Sequence, residues 1–335
     1  MLSNTIIAQS RHWKNPKQNE IMIESTKTFF LSTLCNALNL VSVSAPIFVR
    51  PETGLNDNLS GNELPVTFDA KSIGTNNEIV HSLAKWKRMA LFNLGFEPGE
   101  GLVTTMTAIR KDEDLDNTHS ILVRQFDWEK VITRDQRKLS YFQETVEKIY
   151  RALVETEIFA ECENNTNSLI LPDKIHFITT QELENTYPTL SPDDREHAIC
   201  KQLGAVCVMK VGHALESGKP HGARSPDYDC WNLNGDIIVW YPLLNKSIEL
   251  SSMGIRVDAT DLTQQLEITG AADRRELPYH SMILTDKLPL TIGGGIGMDR
   301  VVMFMMRKVH IGEVQVSLWD EDTIRICKDN YINLL

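Results

Sequence analysis

The stretch Thr291-Ile-Gly-Gly-Gly-Ile-Gly-Met-Asp-Arg300 poses the first chemical question in this chain. Consecutive glycines ahead of a helix let backbone approach a ligand closely, and a helix N-terminus favours an anion. The run lacks the Lys-Ser/Thr ending of a P-loop and does not match G-x-G-x-x-G. Arg300 gives it weight. The residues that follow, Val301, Val302, Met303, Phe304, Met305 and Met306, make a helix apolar on every side. Such a helix is buried, so its Arg must face a partner, either a structural acid or a bound anion.

Carboxylates in apolar strands pose the second question. Alternation over 121–129 places Gln125, Asp127 and Glu129 on one face, with Leu122, Phe126 and Trp128 on the other. A solvated outer sheet face is one reading of that row. A second strand argues against it, because Asn234 and Asp236 share a face within LNGDIIVWY and Glu249 follows in IELSS. Carboxylates so placed are costly unless paired or bound to a cation. Hard oxygen ligands near a phosphate site suit Mg²⁺, which makes Asp236 and Glu249 candidate metal ligands. Arg110, at a strand end before KDEDLDNT, reads from its neighbours alone as a solvated loop residue.

Residues 19–40 carry the apolar spacing of a helix, with Phe30, Leu34 and Leu38 on it. The period then switches to two: Val41, Val43, Ala45, Ile47 and Val49 alternate with Ser42, Ser44 and Pro46, which predicts a half-buried strand. Pro46 cannot donate to a ladder and belongs at a sheet edge or an interface. A helix over 79–94 ends before Gly95. Strands are expected at 102–110 and 121–131. Thr133-Arg-Asp-Gln136 is a capping box opening a long helix with Leu139, Phe142, Val146, Ile149 and Leu153 in its stripe. The polar run ECENNTNS at 161–168 is a surface loop, and Ser191-Pro192-Asp193-Asp194 opens another helix. Further strands are expected at 205–211, 233–241 and 247–250, then a glycine-rich turn at 293–297 and the helix 298–306. These elements predict an α/β (α+β) fold on a mostly antiparallel sheet flanked by helices. With no repeat or linker visible, 1–335 is expected to be a single domain, 1–20 forming a polar N-terminal extension.

With 335 residues, 42% hydrophobic and 24% charged, the chain needs no disulfide or metal staple. A net charge of −11 argues against a general nucleic-acid coat. The six cysteines, Cys35, Cys162, Cys200, Cys207, Cys230 and Cys327, show no C-x-x-C pair and no zinc-ligand spacing. Reduced thiols and a cytoplasmic location follow as expectations. The first residues lack the apolar core of a secretory signal, although Arg11, Lys14 and Lys17 faintly resemble an organelle presequence. No stretch approaches the roughly 20 apolar residues that span a bilayer. A soluble protein with neither membrane nor nucleic acid as partner is expected.

Taken together, these residues resemble a known pattern. Pro46 closing a helix–strand pair, Arg110 in IRKDEDLDNTHS…FDWE, and GGGIGMDR with Arg300 resemble the three motifs of class II aminoacyl-tRNA synthetase catalytic domains. The middle motif looks closest to the aspartyl and asparaginyl members, and Asp299 stands where synthetases usually have Glu. A narrower set is DNLSG at 57–61, HSLAKWKR at 81–88, RSPDYDCW at 224–231, LNGDIIVW at 233–240 and ELSSMGIRVD at 249–258. These are similar to the ammonia-dependent asparagine synthetases, the synthetase-like aspartate–ammonia ligases, and the likeness runs over 45–315.

The resemblance implies a class II synthetase-like fold, usually a two-fold homodimer with 41–49 at the interface. It implies a ligase that joins L-aspartate to ATP as β-aspartyl-AMP, releases pyrophosphate, and lets ammonia displace AMP to give L-asparagine. Two anions must approach, so cations carry most of the load. Arg110 would hold the α-phosphate and Arg300 the γ-phosphate, each through a forked guanidinium. Mg²⁺ on Asp236 and Glu249 would neutralise the leaving pyrophosphate. Arg224, Asp229, Glu249 and Gly295 complete the implied ATP/AMP site. For aspartate the resemblance implies Lys87 on the α-carboxylate with Ser82 nearby, Gln125 and Asp127 at the ammonium and carboxamide ends, and Ser252 and Arg256 beside them. Asp57 and Asp229 match positions near the reacting centre. Asp57 would bind or deprotonate the incoming ammonium, because the nucleophile must be neutral NH₃.

Rival readings meet obstacles. An aspartyl- or lysyl-tRNA synthetase paralogue shares the three motifs but carries an anticodon-binding barrel, for which the residues ahead of Pro46 leave no room. A non-catalytic module would be expected to lose phosphate and metal positions, yet Arg110, Asp236, Glu249 and Arg300 are all present. A glutamine-hydrolysing synthetase needs Cys at its mature N-terminus, where Leu2 follows Met1.

Overall fold

The computed structural model describes residues 15–57, 59 and 63–335. Arg11, Lys14, most of the N-terminal extension and Asn58, Ser60 and Gly61 of DNLSG lie outside the described residues. Helix α1 (Pro16–Leu38) is capped by Asn15 and closed by Asn39 in the left-handed region at φ 58°. Its Met22, Ile23, Phe30, Leu34 and Leu38 are buried in the main core.

The single strand expected over 41–49 is instead two short ones, β1 (Leu40–Ser42) and β2 (Phe48–Val49), in different sheets. The chain crosses between sheets through 43–47, where Pro46 has no N–H to keep a ladder going. Strands β3 (Thr67–Ala70) and β4 (Gly74–Ile79) complete the small sheet, in the order β2-β4-β3. Ile79 therefore ends a strand, and helix α2 (Ala84–Leu94) starts later than expected but stops at Gly95 (φ 73°) as expected. Strands β5 (Gly101–Ile109) and β6 (Leu122–Val131) form a hairpin-like pair. The Thr133–Gln136 capping box forms, but opens a short 3-10 turn ahead of the long helix α3 (Leu139–Glu163).

Next come β7 (His176–Thr179), α4 (Thr180–Thr186), α5 (Pro192–Leu203), β8 (Ala205–Met209), β9 (Asp229–Tyr241) and β10 (Lys246–Arg256). The remainder is α6 (Ala259–Ile268), α7 (Pro278–Leu284), β11 (Thr291–Gly297), α8 (Met298–Met305) and α9 (Glu321–Asp329). The main sheet has the order β1-β5-β6-β11-β10-β9-β8-β7. It is mixed, not the mostly antiparallel sheet expected: β1 runs parallel to β5, and β7 parallel to β8, at its two edges. Both parallel pairs are joined through connections containing helices, which free a strand to return in the same direction. Hydrophobic periodicity carries no strand direction, so this was not readable.

The glycine run is the largest departure. It is no turn but β11, in the middle of the sheet between β6 and β10. Gly293, Gly295 and Gly297 stand opposite Glu129, Asp127 and Gln125. A Cβ on Gly293 would lie 1.9 Å from Glu129 Oε2, and one on Gly295 would lie 2.5 Å from Gln125 Oε1. On the other face, a Cβ on Gly294 would lie 2.5 Å from Met253 Cβ. These glycines remove side chains from a strand so that the polar row of β6 can lie over it.

Candidate active site

The polar row of β6 puts Gln125 and Asp127 into the wall of a cavity of about 260 Å³. It is no solvated face: Asp127 is 2% exposed and Glu129 0%. Lys87 reaches in from α2, pairs with Asp127 and donates to the Gly294 carbonyl at 2.8 Å. Burial pulls the Lys87 ammonium below its usual range, against the opposing pull of Asp127. The second oxygen of Asp127, Oδ2, is buried with no hydrogen-bond partner. A buried carboxylate oxygen left open beside a cavity is an acceptor waiting for a ligand donor.

A chain of alternating charges continues from Glu129. Its carboxylate accepts from Arg256 Nε at 2.9 Å and Nη2 at 2.7 Å. Burial would raise the Glu129 carboxyl, but the Arg256 guanidinium, helped by Lys87 and Thr291, holds it below the usual range. Arg256 also pairs with Asp229, whose Oδ2 lies 3.2 Å from Arg224 Nε. Arg224 in turn donates to Asp236 Oδ1 at 2.9 Å and to Ser252 Oγ.

Facing this chain is Asp57, 3% exposed. Its Oδ2 accepts from Ser82 Oγ at 2.9 Å and Tyr228 Oη at 3.1 Å. Burial, with the Asp57 and Asp229 carboxylates adding to it, pushes the Tyr228 phenol well above its usual range, so it stays a donor. The Arg256 guanidinium lies over the Tyr228 ring, 5.6 Å from its centre.

At the far end Arg110 follows β5 directly. Its Nη1 is 3.9 Å from Glu113 Oε2, and its Nε is buried without a hydrogen-bond partner. Arg300, in the first turn of α8, donates to the carbonyls of Thr118 (3.2 Å) and Glu249 (3.1 Å). Among the described residues no acid forms an ion pair with Arg300 at this helix start. Its neighbour Asp299 instead pairs with Arg124 at 2.6 Å.

Twelve of the expected residues line this one cavity: Asp57, Ser82, Lys87, Arg110, Gln125, Asp127, Asp229, Glu249, Ser252, Arg256, Gly295 and Arg300. Arg224 and Asp236 lie behind the wall, tied to each other. Glu249 is open to solvent, yet surrounding protein displaces water and Asp236 and Glu196 repel it, holding its carboxyl above the usual range. No group of three or more His, Cys, Asp or Glu suited to a metal is found among the described residues. Glu113, Arg124 and Tyr228 also line the cavity and were not picked out from sequence. Tyr228 sat inside RSPDYDCW, where a Tyr between acids gave its own signal.

The chain matches the aspartate–ammonia ligase family over residues 17–331. The aspartate–ammonia ligase of Clostridium perfringens is 54% identical over 320 residues, 95% of this chain and 95% of its own length. That of Fusobacterium nucleatum is 54% identical over 318 residues, 95% of this chain and 97% of its own. Among solved structures, the asparaginyl-tRNA synthetase of Pyrococcus horikoshii complexed with asparaginyl-adenylate aligns with a TM-score of 0.65. It is 14% identical, covering 90% of this chain and 70% of the other. At that identity the likeness speaks for the fold, a mixed α/β architecture of class II synthetase type.

Proposed function

The chain belongs to the aspartate–ammonia ligase family and makes L-asparagine from L-aspartate and ammonia; we propose that it does so with ATP, through β-aspartyl-AMP. One observation carries the proposal. A single cavity has a Lys87–Asp127 pair with an open carboxylate oxygen at one end and Arg110 and Arg300 reaching in at the other. The first suits an α-amino acid, the second a polyphosphate.

In the first step an oxygen of the aspartate β-carboxylate attacks the α-phosphorus, and the bond to pyrophosphate breaks. Lys87 binds the α-carboxylate, while Gln125 and Asp127 serve the ammonium and carboxamide ends. Arg110 spreads the charge of the α-phosphate and Arg300 that of the γ-phosphate within the departing pyrophosphate. In the second step ammonia attacks the β-carbonyl carbon, AMP leaves with the bridging oxygen, and Asp57 accepts the proton given up by nitrogen. Arg256 and Arg224 fix Asp229 at the reacting centre.

Two carboxylates, one of them shared with Arg224, are left for a divalent cation. Asp236 and Glu249 offer hard oxygens, and a cation would offset both the loss of water around the Glu249 carboxylate and its repulsion by Asp236. These two would hold Mg²⁺, which would supply neutralisation of the pyrophosphate charge. The reading includes a homodimer through 41–49, supported by Val41 and Ile47, which are 59% and 58% exposed.

Incubation with aspartate, ATP, Mg²⁺ and either ammonia or glutamine tests the proposal. Asparagine and AMP formed with ammonia support it; ADP in place of AMP overturns the adenylate route.

A further inference from the structure

A second layer of charge lies behind the wall that carries Asp57 and Tyr228. Asp227 is fully enclosed, 0% exposed. Its Oδ2 accepts from Lys85 Nζ at 3.2 Å, Arg274 Nη1 at 3.1 Å and His280 Nε2 at 2.9 Å. Its Oδ1 accepts from Ser225 Oγ at 2.8 Å. Burial alone would raise this carboxyl, but Lys85, His280 and Arg274 hold it well below the usual range. An ionised carboxylate can only accept, so His280 Nε2 carries the proton of that bond.

The other face of the His280 ring meets a different segment. Its Nδ1 is buried with no hydrogen-bond partner. A Cβ built on Gly54 would lie 3.1 Å from that Nδ1 and 3.0 Å from Leu277 Cβ. The ring is therefore wedged between Asp227 and the backbone at Gly54, whose φ of +70° already favours glycine.

From each of these contacts the chain reaches the reacting centre within a few residues. Gly54 leads to Asp57, Asp227 to Tyr228 and Asp229, and Lys85 lies between Ser82 and Lys87. On the cavity side Ser82 and Tyr228 both donate to Asp57. The two arginines of the phosphate end hang on other elements, Arg110 after β5 and Arg300 on α8.

We infer that His280 and Asp227 form a positioning pair that sets the distance between Asp57 and Tyr228, and so tunes the aspartate and ammonia end of the site more than the ATP end. The inference rests on the assignment of that wall to aspartate and ammonia. A buried pair of this kind acts by fixing geometry, and a displacement of about 1 Å in a reacting group can cost about a hundredfold in rate.

The test compares His280→Leu with His280→Gln in steady-state kinetics, with thermal unfolding measured on the same samples. Leu removes the donor, and the Gln carboxamide returns one to Asp227. His280→Leu is expected to raise KM for ammonia and aspartate by about tenfold and leave KM for ATP within about twofold, with Gln recovering most of the loss. Should the Leu variant not fold, Gln against His280→Asn puts the same question, since Asn is too short to reach Asp227. Equal rises in all three KM values, unchanged values in folded protein, or Gln no better than Leu would overturn the inference. A wild type that makes no asparagine in the same assay would overturn the reading beneath it.

Discussion

The carboxylate of Glu129 on β6 occupies the place where any residue other than glycine at position 293 of β11 would put its Cβ, 1.9 Å away. The glycine-rich strand and the acidic row are thus one feature. The sheet gives up side chains on β11 to hold a fully buried Glu129–Arg256 pair beside the cavity.

Gly293→Ala should therefore destabilise the whole protein. The added methyl would meet Glu129 and also come 2.7 Å from Arg256 Nη2, both at the ion pair rather than at loose chain ends. Breaking a buried pair costs about 3–5 kcal/mol. Urea unfolding should show a lower midpoint with an unchanged slope, and a wild-type midpoint would refute the coupling.

Gly295→Ala should behave differently. Its methyl would lie 2.5 Å from Gln125 Oε1, the far end of a side chain that can swing away. We expect a folded protein, destabilised by about 1 kcal/mol or less, with KM for aspartate raised tenfold or more and KM for ATP raised less, although Gly295 itself belongs to the implied ATP/AMP site. Equal effects on both KM values would remove Gln125 from the aspartate end.

The sequence carried much of this site, but not its construction. Alternation correctly put Gln125, Asp127 and Glu129 on one face, because a strand's period is fixed by its backbone. It did not say that β11 lay across them, since cross-strand register depends on residues far apart in the chain. The same limit explains why 293–297 looked like a turn: glycine needed for close approach and glycine needed for φ > 0 are the same letter. Arg300 was legible from its apolar helix, whereas Arg110 was legible only by resemblance. Asp236 was legible as an acid set in an apolar strand, but its capture by Arg224 was not.

Stability should fall between pH 6.5 and 4 through His310. Its Nδ1 accepts the Gly312 N–H at 3.0 Å and its ring packs edge-on against Trp319, so the folded state needs it neutral. Burial pulls it down from 6.5 to about 4, with Asp116 and Asp320 opposing. Between those values the unfolded chain takes up a proton that the folded chain refuses, so stability drops as pH is lowered, by up to roughly 3 kcal/mol. Denaturation at a series of pH values should show this loss reduced in His310→Gln; identical profiles would refute it.

Arg300→Lys should leave stability within about 0.5 kcal/mol, because Arg300 holds only two carbonyls and sits half-buried at the cavity. Turnover with ATP should nevertheless fall about a hundredfold, since an ammonium cannot grip phosphate oxygens with two prongs. Unchanged turnover would remove Arg300 from the phosphate end.

Isotope transfer tests the adenylate route most directly. Aspartate carrying ¹⁸O in its β-carboxylate is incubated with ATP, Mg²⁺ and ammonia, and the nucleotide product is examined by mass spectrometry. The route through β-aspartyl-AMP predicts one ¹⁸O in the phosphoryl group of AMP. Label in inorganic phosphate, with ADP as the nucleotide product, would contradict it.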